Sequence, residues 1–160
     1  MSFLRMIRLS PHLWRADGDG LPTPQSLTLL AQAESLGPVT HFVREGAQEA
    51  NLPAARLGEL DLLVEEIFMN IVRHSYPKSL PGPVSVSYSV TGPGELAVEF
   101  GDRGVEFNPL TANPPDLTLD LAHRPIGGLG VFLLKAFAHS LSYRREQGWN
   151  RLTLGISSKP

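Results

Sequence analysis

The chain has 160 residues, 42% hydrophobic and 19% charged, with a formal net charge of −2 and no cysteine. That length suits one domain with a proper core. The balance excludes a broad basic footprint for nucleic acid or membrane, and the missing cysteines exclude disulfides and thiolate metal sites.

No apolar run approaches a membrane span. The opening "MSFLRMIRLSPHLWRADGDG" has scattered arginines but neither a sustained apolar stretch nor a small-residue cleavage pattern. A signal peptide is therefore not expected, and a cytoplasmic location is. Residues 1–24 end in a string of turn and breaker residues and read as an N-terminal extension, with disorder the leading expectation. The domain itself is expected over 25–160.

"SLTLLAQ" (26–32) reads as a first strand. Leu36, Val39, Phe42, Val43 and Ala47 then fall at helical intervals. Pro53 stands where a second helix would begin, a favoured place for proline. That helix, "AARLGELDLLVEEIFMNIVRHSY", has the clearest pattern in the chain and stops before Pro77. Val84, Val86, Tyr88 and Val90 alternate with polar residues, which predicts a strand, and "ELAVEFGD" supplies its partner after the turn "TGPG". The proline-rich stretch 109–125 reads as a long loop, and loops of that length inside a domain are often functional. A helix over 131–138 and a closing hairpin, "SLSYRRE" with "RLTLGI", complete the chain. Layer logic predicts a two-layer α/β sandwich: a mixed, mainly antiparallel sheet of about five strands with three helices on one face.

Three local patterns carry chemistry. On the second helix Glu66 and Asn70 are four residues apart and share a face, which Arg73 joins. The core stripe (Leu57, Leu60, Val64, Ile67, Phe68, Ile71, Val72) points the other way, while Leu62, Leu63 and Met69 flank the polar face. A carboxylate between apolar neighbours is a candidate for a raised pKa and for base work; alone, the pattern reads more simply as a solvated face. The second pattern, "FGDRGVEFNP", ends a strand in Asp102 and Gly104. An aspartate there can accept from an exocyclic amine, although the same residues also make ordinary turns. The third is "RPIGGLGVFLLKAF". Glycines at the mouth of a helix bare its free N–H groups and partial positive charge, which suits a phosphate.

The three patterns occur in order, each on its expected element. Together with "YRREQGWNRLTL" they make the sequence resemble the GHKL ATP-binding superfamily of gyrase-type ATPases and histidine-kinase catalytic domains. More narrowly, it is similar to the anti-sigma-factor serine/threonine kinases of bacterial partner switching. The resemblance runs from about residue 25 to 156. It implies ATP and Mg2+ as cofactors, with Glu66 as general base and Asn70 as magnesium ligand. Asp102 would meet the adenine amine, with Gly104 and Phe107 beside the ring. Gly128, Leu129 and Gly130 would offer N–H groups to the phosphates, and Gly127 would turn the loop. Residues 110–126 would form a short ATP lid from which Arg124 reaches the terminal phosphate; Arg73 and His74 would stand at the nucleotide pocket.

The resemblance further implies a STAS-domain anti-sigma-factor antagonist as substrate, a sigma factor or other regulator as second partner, and compatibility with a homodimer. Direct contact with nucleic acid or membrane is not implied. The alternative is an ATP-dependent binding module that sequesters a regulator with little or no phosphoryl transfer. The chain departs from the family pattern at His139, where an acidic residue is common, and in its N-terminal extension.

Overall fold

The computed structural model describes residues 24–111 and 128–159. The expected extension, except Pro24, and most of the expected lid, with Arg124 and Gly127, lie outside the described residues. Within them the order is β1 (Gln25–Leu30), a 3-10 turn (Ala33–Ser35), α1 (Leu36–Glu49), α2 (Ala54–His74), β2 (Pro83–Gly92), β3 (Glu95–Asp102), a 3-10 turn (Pro109–Thr111), α3 (Gly128–Phe137), β4 (Ser140–Glu146) and β5 (Trp149–Ser157).

Local chemistry fixes the boundaries. α1 ends in a Schellman motif: Leu52 N–H donates to the Ala47 carbonyl at 2.9 Å and Asn51 N–H to that of Gln48 at 3.0 Å. Asn51 takes the left-handed conformation that this cap needs (φ 56°). Pro53 follows and opens α2, whose last turn carries Arg73 and His74 near the negative end of the helix dipole. The β4–β5 hairpin turns on Gln147 (φ 48°) and Gly148 (φ 80°), the two positive dihedrals of a tight two-residue loop.

The five strands are ordered β1-β2-β3-β5-β4. A mixed sheet was expected, but every pairing among the described residues is antiparallel. β5 separates the parallel-running β3 and β4, so the α3 crossover joins two strands that do not touch. The inward phases of the strands (Val84, Val86; Val98, Phe100; Leu152, Leu154) share one core with Val39 and Val43 of α1, with α2 and with Leu134 of α3. The opposite sheet face carries polar side chains, among them Glu99 paired with Arg144 and Arg151.

Three expectations shift. β1 stops at Leu30 rather than Gln32: Ala31 N–H still reaches the Gly82 carbonyl in register at 2.9 Å, but Gln32 N–H turns back to the Leu30 carbonyl at 2.9 Å. α3 starts three residues earlier than expected, at Gly128, so the glycines form its first turn. Leu63, expected beside the polar face of α2, is fully buried, while Leu57 and Val72 are only partly so. α2 packs against both α1 and α3 as well as the sheet, so its buried stripe is wider than a single apolar face.

Tyr88 ties α1 to the sheet. Its ring leans on Phe42 with centroids 4.9 Å apart, and a Cβ at Gly46 would stand 2.6 Å from it. Its hydroxyl donates to Glu49 Oε1 at 2.9 Å. Burial, and then the bond to Glu49, push the phenol up to about 12 from its ordinary 10.0. The folded pKa lies above the unfolded one, so the protonated phenol's contribution is whole below about pH 10 and is lost as pH rises through 12. The stability difference between wild type and Tyr88→Phe, measured by urea unfolding, should therefore stay level up to pH 10 and shrink above it. A difference that is constant to pH 12 would contradict the buried, hydrogen-bonded phenol.

Candidate functional site

Asp102 closes β3 on the same inward phase as Leu96, Val98 and Phe100, so the alternation that builds the core delivers a carboxylate to its edge. It is 5% exposed. Its Oδ1 accepts from Gly104 N–H at 2.8 Å and from Asn150 Nδ2 at 3.0 Å. Among the described residues its Oδ2 accepts no hydrogen bond.

The turn after β3 is pressed onto the end of α2. Val105 N–H donates to the Ser75 carbonyl at 3.1 Å, and a Cβ on Gly104 would lie 2.2 Å from that oxygen. Glycine is required there by the approach of Ser75. Tyr76 reinforces the join: its hydroxyl accepts from Arg103 N–H at 2.7 Å and donates to the Pro83 carbonyl at 2.7 Å. Burial is the main cause that raises this phenol's pKa, so it stays a donor at neutral pH.

Glu66 and Asn70 are half-buried on α2, and they face the first turn of α3. A Cβ on Gly130 would stand 2.8 Å from Glu66 Oε2 and 3.5 Å from Asn70 Nδ2. Because residues 128–130 are already helical, their N–H groups lack partners four residues back within the helix. α3 thus brings donors without a partner in their own helix to the side of α2 that carries the carboxylate–amide pair.

Between α2, the end of β3, α3 and the β4–β5 hairpin lies a cleft with about 540 Å³ of free space, open mouth included. Asn70, His74, Asp102 and Phe107 line it, while Leu134 and Leu152 form part of its apolar wall. Glu66 and Gly130 meet beside Asn70. Arg73 is exposed and is not among the lining residues. Leu129 belongs to the first turn of α3 through its backbone.

Asn150 was not foreseen. It sits on the inward phase of β5 with Leu152, Leu154 and Ile156, is 5% exposed, and holds Asp102 directly. An amide on the apolar phase of a strand was the signal for it.

Residues 29–156 match the family described as histidine kinase-like ATPase domain. The chain belongs to that family, and membership implies ATP binding. Within it the chain falls with the protein serine/threonine kinases. It is 35% identical over 101 residues to serine/threonine-protein kinase BtrW of Bordetella bronchiseptica, which covers 63% of this chain and 70% of that one. It is 26% identical over 106 residues to serine-protein kinase RsbW of Listeria monocytogenes, over 64% of this chain and 67% of that one.

Among solved structures, the RsbU and RsbW domains of Rv1364c from Mycobacterium tuberculosis share the fold at a TM-score of 0.58 and 18% identity. The match covers 84% of this chain and 32% of that one. No helix among the described residues is long and apolar enough to cross a membrane.

The two close-packed glycines should respond in opposite ways to alanine. At Gly104 the added carbon meets backbone, so stability should fall by about 1–3 kcal/mol. At Gly130 it meets the movable end of Glu66, and alanine is worth up to about 1 kcal/mol more than glycine inside a helix. Urea unfolding of Gly130→Ala should accordingly show unchanged or raised stability. A loss as large as that of Gly104→Ala would mean that α3 does not pack on Glu66 as described.

Proposed function

We propose that the chain is an ATP-dependent protein serine/threonine kinase and anti-sigma regulatory factor. It would transfer the γ-phosphate of ATP to a serine or threonine of a STAS-domain anti-sigma-factor antagonist, and the resulting partner switch would release or capture a sigma factor. The observation that carries this reading is the meeting of Glu66 and Asn70 with the first turn of α3, beside a cleft that also holds the buried Asp102.

The resemblance supplies the roles, and the positions of the described residues support them. Asp102, at the floor of the cleft, accepts from the adenine amine, and Phe107 offers an apolar face to the ring. The N–H groups of Gly128, Leu129 and Gly130 receive the phosphates, as a helix N-terminus does. Glu66 takes the proton of the attacking hydroxyl as its oxygen bonds to the γ-phosphorus and the bond to ADP breaks. His74 lines the same cleft; Arg73, on the exposed side of α2, would have to swing to reach it. Gly127 and Arg124 are assigned by the family resemblance to the loop turn and the terminal phosphate.

Among the described residues no group of three His, Asp or Glu side chains could hold a metal alone. One amide ligand suits a magnesium ion whose remaining ligands are phosphate oxygens and water, and the Asn70 side chain supplies it. When bound, magnesium neutralises charge on the phosphates that this chain's own donors orient.

The test is transfer of labelled phosphate from ATP to a STAS-domain partner by wild type and Glu66→Ala. General-base help is worth about 10²–10⁴ in rate, so transfer should fall on that scale while ATP affinity holds. Undiminished transfer would remove Glu66 as the base and turn attention to the exposed neighbour Glu65. Wild type that binds ATP and the partner but transfers nothing would establish the sequestering module instead.

A further inference from the structure

The amide of Asn150 uses all four of its hydrogen-bonding positions inside the protein. Nδ2 donates to Asp102 Oδ1 at 3.0 Å and to the Val105 carbonyl at 2.8 Å. Oδ1 accepts from the Tyr143 hydroxyl at 2.8 Å and from an Arg145 guanidinium N–H at 2.7 Å. The same Arg145 nitrogen donates to the Gly104 carbonyl at 3.1 Å. Two acceptors on one side and two donors on the other fix which end of the amide is nitrogen. With both ends committed, Asn150 has no capacity left for a ligand, but it decides how Asp102 stands.

Resting on the nucleotide reading above, we infer that Asn150, oriented by Tyr143 and Arg145, is a positioning residue that holds Asp102 for reading the purine amine. One oxygen of Asp102 is occupied by Asn150 and Gly104, and the other is left for an amine donor. A flipped amide would turn its oxygen toward the carboxylate, and the resulting repulsion would swing Asp102 out of line. Arg145, which can only donate, opposes the flip at Oδ1, where the Tyr143 hydroxyl donates beside it. Arg145 itself is solvent-exposed and is not among the lining residues of the cleft. It also clamps the 103–105 turn through the Gly104 carbonyl, so base selectivity is set partly from the outer strand β4.

The experiment compares the affinity of ATP with that of purine riboside triphosphate, which lacks the amine, in wild type, Asn150→Asp and Arg145→Ala. Wild type should prefer ATP by about tenfold, the scale of one hydrogen bond to a buried carboxylate. Both variants should lose most of that preference while keeping their affinity for the deaminated analogue, which a loss of overall packing would not leave intact. Should Asn150→Asp fail to fold, Arg145→Ala carries the test, because the arginine lies at the surface. Folded variants that keep the wild-type preference would overturn the positioning role and leave the nucleotide reading standing. A wild type that binds both nucleotides equally would overturn the assignment of Asp102 to the amine, and the positioning role with it.

Discussion

The site depends on one close approach. Gly130 of α3 lies so near α2 that a single methyl group would reach within 2.8 Å of Glu66 Oε2. A bare helix turn is what lets the opening of α3 stand this close to a carboxylate and an amide of α2. A side chain at that position would have to push the movable end of Glu66 aside. Gly130 is therefore explained first by packing and then by the phosphates that such a turn can receive.

The rest of the fold keeps that approach in register. α3 is braced by α2 at both ends: at its start by Glu66 and Asn70, and at its finish by Arg56, which donates to the Phe137 carbonyl at 3.0 Å and to that of Ser157 at 3.0 Å. The two helices consequently run antiparallel. Arg56 is largely buried and also pairs with the partly exposed Glu59, so the brace carries an ion pair as well. Because α3 connects β3 to β4 across β5, its first turn returns to the same edge of the sheet at which β3 ends in Asp102. A base acceptor and a phosphate-facing helix thus reach one cleft from two sides, joined by α2 between them.

Much of this was legible in the residues. Alternation in 84–90 and 95–102 predicts β2 and β3, and the same alternation places Asp102 indoors. The spacing of Glu66 and Asn70 puts them on one face of α2. Less legible was anything decided by a neighbour. Leu63 reads as part of the polar flank until α1 and α3 are both laid against α2. Gly104 reads as room for a ring, yet the contact that demands glycine is the Ser75 carbonyl. Asn150 reads as part of a turn because it follows "QGW", and only its in-phase neighbours Leu152 and Leu154 reveal that it points inward. Its partners Tyr143 and Arg145 come from another strand, which no local pattern announces.

The most direct measurement is calorimetric titration of wild type and Asp102→Ala with ATP, with and without magnesium. Binding that strengthens with magnesium in wild type and disappears in Asp102→Ala is the predicted result. Retained ATP affinity in a folded Asp102→Ala would contradict the adenine assignment and move the nucleotide elsewhere on the chain.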